Sequence, residues 1–256
     1  MHDDSWKKIF DDYKIHSHNF ENEPYVLTSD NIKKSVQDFK KTSEKEVRIL
    51  CKQDSREDRP QVFKENGLFL LPVKNGKYII TKGEGYIDLP EINKTTEFYI
   101  SKLNFKLDTS KIGNSEMQHL DFAYAVSLVR TFVKDDSLVL TIRGRKYTPF
   151  FEFSVNKHKI QVESVQTEVD AGYEGKDKVV LVEAKNTIAN NTIIRQLYYP
   201  FRQWQNCTSK KVITLFFEKR QDIYLLWEFE FTDIYNYNSI TLVKSGKFKI
   251  KYDECK

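Results

Sequence analysis

Glu168-Val169-Asp170-Ala171-Gly172-Tyr173-Glu174-Gly175-Lys176-Asp177-Lys178-Val179-Val180-Leu181-Val182-Glu183-Ala184-Lys185 is the stretch on which the fold turns. Two strand-like runs flank a polar turn that contains Gly175. Val179-Val180-Leu181-Val182 is apolar without interruption, the pattern of a strand buried on both faces. Glu183 and Lys185 stand two apart and therefore project from one face of that strand. Asp170 is placed at the end of the first strand. A hairpin brings that end to Glu183 only if its strands splay or bulge.

Working outward, short strands are expected at Leu138–Ile142, Phe150–Val155, Ile160–Val169 and Val179–Glu183, and a helix over Thr192–Gln205. Strands at Val212–Phe217 and Tyr224–Phe231 come next, then a terminal hairpin over Ser239–Tyr252 turning at Ser245-Gly246. A long helix, Ser115–Val133, precedes them, with Leu120, Tyr124, Leu128 and Phe132 in one stripe. This order predicts an α/β (α+β) fold with a mixed central sheet flanked by helices, and the piece from Val179 through Phe217 is a right-handed crossover. The first part reads as a smaller α+β region. It has helices over Ser5–Tyr13 and Ser29–Phe39, the latter capped by Ser29 or Asp30, and strands at Val47–Cys51, Gly67–Val73, Lys77–Lys82 and Phe98–Leu103. Asn75-Gly76 is a hairpin turn. The polar segment from Asp108 to Asn114 sets the boundary, giving regions 1–107 and 108–256.

Of the 256 residues, 39% are hydrophobic and 14% aromatic, enough to build a sizeable core and to argue against disorder. The net charge of +4 is a mild basic bias, so its distribution matters more than its total. Lys33/Lys34, Lys40/Lys41, Arg143/Arg145/Lys146 and Lys210/Lys211 are separate basic clusters. Cys51, Cys207 and Cys255 are odd in number and form no CxxC pair, which points away from a disulfide framework or a zinc site. The polar N-terminus and the lack of any apolar run of roughly 20 residues predict a cytoplasmic protein.

A carboxylate and an ammonium at the end of a buried strand carry a desolvation cost unless something pairs with them. A divalent cation and a phosphate would do so. Two carboxylates can hold Mg²⁺, which prefers oxygen ligands, and a nearby lysine can orient or deprotonate a water. Asp170 followed thirteen residues later by Glu183-Ala184-Lys185 resembles the PD-(D/E)XK nuclease signature of type II restriction endonucleases and related enzymes. Val169 stands where the signature has proline. Arg195-Gln196-Leu197-Tyr198-Tyr199 is similar to the Gln-containing helix of RecB-like members, and Arg143 to Trp204 resembles a group of type II restriction enzymes.

The resemblance implies a nuclease core with Asp170, Glu183 and Lys185 in catalysis, Gln196 as an auxiliary residue and Mg²⁺ held by Asp170, Glu183 and the Ala184 carbonyl. Glu168, on the same strand face as Asp170, is a further candidate ligand, as is Glu116 at the start of the long helix. Glu174 belongs to the turn. Arg143, Arg145 and Lys146, around Gly144, are candidate DNA contacts in a loop, or the wing of a winged helix; Arg195 is a candidate phosphate clamp. The activity so implied is Mg²⁺-dependent, site-specific cleavage of double-stranded DNA leaving 5′-phosphate ends. Its agent would be a prokaryotic homodimer with a cognate DNA methyltransferase as genetic companion. A repair or recombination nuclease of the same superfamily, or a sequence-specific DNA-binding protein that does not cleave, are the alternatives.

Overall fold

A computed structural model describes residues 2–252; Met1 and residues 253–256, Cys255 among them, lie outside the described residues. The N-terminal unit contains α1 (Asp3–Asp12), β1 (Tyr25–Thr28), α2 (Ser29–Val36), α3 (Thr42–Lys45), α4 (Val47–Leu50), α5 (Gln61–Glu65), β2 (Leu68–Lys74) and β3 (Lys77–Lys82). It is followed by β4 (Tyr86–Asp88), β5 (Glu97–Ile100), α6 (Glu116–Ala125), α7 (Leu128–Val133), β6 (Val139–Tyr147), β7 (Phe151–Val155) and β8 (His158–Val162). The chain ends with β9 (Gln166–Glu174), β10 (Lys178–Lys185), β11 (Asn191–Ile193), α8 (Ile194–Gln205), β12 (Lys211–Arg220), β13 (Ile223–Phe231) and β14 (Ile240–Lys251).

The helical spacing at the N-terminus buries Trp6, Ile9 and Phe10 on one face of α1. α2 starts at Ser29 as expected, but its cap is Thr28 and not Ser29 or Asp30: Thr28 Oγ1 accepts from Asn31 N at 3.1 Å, while Asn31 Oδ1 accepts from Thr28 N at 3.0 Å. Val47–Cys51, expected as a strand, is the helical turn α4; Val47 and Leu50 lie three apart and are buried together. β2 and β3 meet at the predicted Asn75-Gly76 turn, where Gly76 has φ +73°. β2 is buried on both sides. Leu68 and Leu70 pack with Trp6 and Phe63, whereas Phe69, Leu71 and Val73 pack into the main body.

The main body is a mixed α+β layer structure built on a seven-stranded sheet of order β5-β14-β13-β12-β10-β9-β6. β10 lies inside it, antiparallel to β9 and parallel to β12 through the helical crossover α8. Its apolar run is buried on both faces as its composition requires. Val179 and Leu181 pack with Leu197 and Phe201 of α8; Val180, Val182 and Ala184 pack with Leu120, Leu128 and Val129 of α6 and α7.

Several expectations are corrected. The helix over 115–133 breaks in two at Ser127, whose φ is +69°. Arg143–Tyr147 is neither a loop nor a wing but the second half of edge strand β6, paired with β9 through irregular register. The Ile160–Val169 strand is divided at Ser164, φ +54°, into the ends of β8 and β9. Ser245-Gly246 is not a turn: Gly246 pairs with Leu226 inside continuous β14, and a Cβ there would collide with the Phe248 and Phe132 rings. The boundary at 107/108 does not follow the sheets, because β5 is hydrogen-bonded alongside β14 in the seven-stranded sheet.

Candidate active site

Antiparallel register, not splaying, brings Asp170 to Glu183. The β9–β10 ladder runs from Glu174↔Val179 to Ala171↔Val182, and one step beyond it the Asp170 Oδ2 accepts the Ala184 N–H at 2.7 Å. Asp170 therefore lies within β9, not at its end, and equally far from the turn as Glu183. Lys210 closes that turn by pairing with Glu174 and donating to the Gly175 carbonyl at 2.8 Å.

A bulge is nevertheless present. β6–β9 pairing jumps from Ile142↔Gly172 to Gly144↔Val169, so one extra β9 residue is accommodated there. Val169 packs on the α8 side and Ala171 on the α6/α7 side, which interrupts strict alternation at Asp170. Glu168 lines the same cleft as Asp170, and its charge acts on Asp170. Glu168 reaches the rim and accepts from Arg145 Nε at 3.1 Å.

Glu183 is 8% exposed, and both of its hydrogen bonds converge on Oε1: from Lys185 Nζ at 2.6 Å and from Gln196 Nε2 at 2.9 Å. Gln196 is oriented in turn by the Thr192 hydroxyl of β11, which donates to its Oε1 at 3.0 Å. Burial pushes the Glu183 carboxyl up to about 7; the ammonium of Lys185 opposes this and the charge of Asp170 adds to it. Asp170 is also raised, chiefly by burial and then by the charges of Glu116 and Glu168, against the lowering effect of the Ala184 N–H and Lys185. Burial works to lower the Lys185 ammonium, but the charge and hydrogen bond of Glu183 overcome it and hold Lys185 protonated.

These groups line a cleft of about 560 Å³. It gathers the predicted Asp170, Glu183, Lys185, Glu168, Gln196, Arg145, Arg195 and Glu116. Glu116 Oε1 accepts the Asn186 N–H at 3.3 Å, tying the start of α6 to the residue after Lys185. Arg143 and Lys146 are not brought in. Arg143 is ion-paired with Asp121, and Lys146 Nζ sits 5.7 Å from the Trp204 ring centre. Three further charged lining residues escape a reading of the sequence: Arg48, Lys52 and Asp54. They come from the N-terminal unit, over a hundred positions from Asp170, and no local pattern marks them.

The lining holds five acidic and five basic side chains, so a cation added at its floor would leave the cleft attractive to anions. Among the described residues no group of three or more His, Cys, Asp or Glu forms a metal cage. The donor set instead offers two hard carboxylates, Asp170 and Glu183, both with raised proton affinity, chiefly from burial, in a half-closed site. That suits Mg²⁺, which takes one or two carboxylates and keeps several waters.

Residues 81–249 match the sequence family described as a domain of unknown function (DUF6997), and residues 3–80 match a second such domain (DUF6996). No curated protein and no solved structure matches the chain. Among the described residues no helix is long and apolar enough to cross a membrane.

Proposed function

The chain belongs to the DUF6997 family, and we propose that it is an Mg²⁺-dependent endodeoxyribonuclease of the PD-(D/E)XK type that cuts double-stranded DNA at a defined sequence. The observation that carries this is the Asp170 side chain hydrogen-bonded across the hairpin to the Glu183-Ala184-Lys185 strand end at the floor of a cleft. The residues that would hold Mg²⁺ are Asp170 and Glu183, with the Ala184 carbonyl as the resemblance implies. When bound, Mg²⁺ supplies charge neutralisation on a phosphoryl oxygen and a lowered pKa for water.

The remaining roles belong to the protein. Lys185 stays protonated beside Glu183 and offers its other N–H groups to a phosphoryl oxygen or the attacking water. Gln196 keeps the Glu183 carboxylate from rotating away. Arg145 and Arg195, at the rim, fit the flanking phosphates. Sequence specificity, 5′-phosphate ends, a homodimer, a companion methyltransferase and a cytoplasmic location are implied by the restriction-enzyme resemblance.

Incubation of the purified protein with plasmid DNA and Mg²⁺, followed by sequencing of the ends, is the test. Discrete fragments are expected. Asp170→Ala should bind the plasmid yet cut on the order of 10³-fold more slowly. A smear would favour a repair or recombination nuclease, and full cleavage by Asp170→Ala would refute the assignment.

A further inference from the structure

We infer that the N-terminal unit builds one wall of the substrate groove, with Arg48 and Lys52 as its phosphate-binding side chains. This rests on the proposed nuclease function, and it names which residues outside the seven-stranded sheet hold the DNA.

Arg48 and Lys52 are four apart on a helical turn that runs on past α4, where the Cys51 and Lys52 amides bond to the Val47 and Ile49 carbonyls at 2.9 and 3.2 Å. Both side chains therefore leave the same face, and both line the cleft that contains Asp170, Glu183 and Lys185. Their own acidic partners bind them loosely. Arg48 Nε is 3.4 Å from Glu46 and Lys52 Nζ 3.7 Å from Asp54, with the two cationic side chains 88% and 73% exposed. Most of their N–H donors are thus open to a ligand. Arg145, on the edge of the seven-stranded sheet, lines the same cleft.

The wall is fixed to the catalytic helix. Ile193 N donates to the Asp54 carbonyl at 2.8 Å, Arg56 N to Asn191 Oδ1 at 2.7 Å, and Asn191 Nδ2 to Glu57 Oε2 at 2.9 Å. Asn191 and Ile193 immediately precede α8, which carries Arg195 and Gln196. Beneath the wall, Leu50 and Phe63 are fully buried. A backbone held this firmly positions two cations without further ordering, the condition under which long side chains bind phosphate economically. The two sequence families meet at residues 80 and 81, so the groove draws residues from both and belongs to neither alone. Contacts of this kind follow the sugar-phosphate backbone, so they should strengthen all sequences alike.

The test is fluorescence anisotropy with a labelled DNA duplex across a salt series, Ca²⁺ replacing Mg²⁺, on the full chain. Arg48→Ala/Lys52→Ala should weaken binding by about tenfold at 0.1 M salt and reduce the slope of log K against log salt by about 2, near 0.9 per lost phosphate contact. Its thermal midpoint should stay at the wild-type value. Arg48→Lys/Lys52→Arg should restore the slope. Lys33→Ala/Lys34→Ala, on the same unit outside the cleft, should leave it unchanged. If wild type binds and cuts while the Ala pair shows the same affinity and slope, or the control loses as much as the Ala pair, the wall assignment is overturned and the nuclease stands. If wild type neither binds nor cuts duplex DNA, the nuclease function itself fails and takes this inference with it.

Discussion

Two neighbouring strands end in the same pattern and do different things. β10 ends in Glu183-Ala184-Lys185; β12, parallel to it, carries Glu218-Lys219-Arg220, and Lys185 and Glu218 are register partners. Each glutamate is buried and paired with the cation two residues on. At Glu218 both oxygens are engaged: Arg220 bonds to each, and Ala189 N donates to Oε2 at 3.3 Å. The pair is closed. At Glu183 both donors converge on Oε1, leaving Oε2 without a donor among the described residues, and Asp170 stands beside it in an open cleft. An acid-x-base strand end becomes a candidate site only when a second carboxylate and a cavity leave oxygen lone pairs to share.

The sharpest break of this comparison exchanges the cations. Lys185→Ala should cut cleavage on the order of 10³-fold while the protein remains folded. Arg220→Ala should leave the cleavage rate of folded protein intact but lower unfolding stability by about 2–3 kcal/mol, since it strands a fully buried carboxylate whose lost partner was about one-third exposed. Plasmid cleavage and urea titration on both variants read the contrast. Equal losses of cleavage would erase it.

Next in size is the pH dependence of the metal-free protein. The folded-state pKa of Glu183 lies near 7, above its ordinary 4.5, so folding is favoured by proton uptake there. That stability is fully present below 4.5 and disappears as pH rises through 7, a decline of at most about 3–4 kcal/mol. Asp170 shifts in the same direction. Mg²⁺ should therefore raise the melting temperature at pH 8 and barely at pH 5. Glu183→Gln should flatten the decline and remove the Mg²⁺ effect; calorimetry across pH checks both.

The smallest effect concerns the basic strand. Arg143→Ala removes a cation paired with Asp121 outside the cleft, so stability should change by less than about 0.5 kcal/mol, and duplex binding by less than about twofold. Arg145→Ala, at the cleft rim, should weaken binding more. A larger loss from Arg143 would place the DNA along the sheet edge instead.

Much of the architecture was legible because its signals are local. The unbroken run Val179–Val182 could only be stable between two apolar layers, and the periods at Trp6–Phe10 and in α8 carry their own burial. Gln196 was tied to the site by the resemblance of its helix to that of RecB-like nucleases, and its hydrogen bond to Glu183 came only with the structure. The failures share a cause. Gly246 resembles a turn residue until pairing with Leu226 of another strand keeps it inside β14; Arg143-Gly144-Arg145 resembles a loop until β9 pairs with it.

By itself the sequence determined that β10 is buried on both faces and that Glu183 and Lys185 leave it together, since two-residue alternation follows from covalent geometry. Only the tertiary structure decided that Asp170 lies opposite them, that a bulge interrupts β9 while Arg145 holds Glu168, and that Arg48, Lys52 and Asp54 close the cleft. Register, bulges and walls depend on pairings between residues far apart in the chain, and a period within one strand carries no information about them.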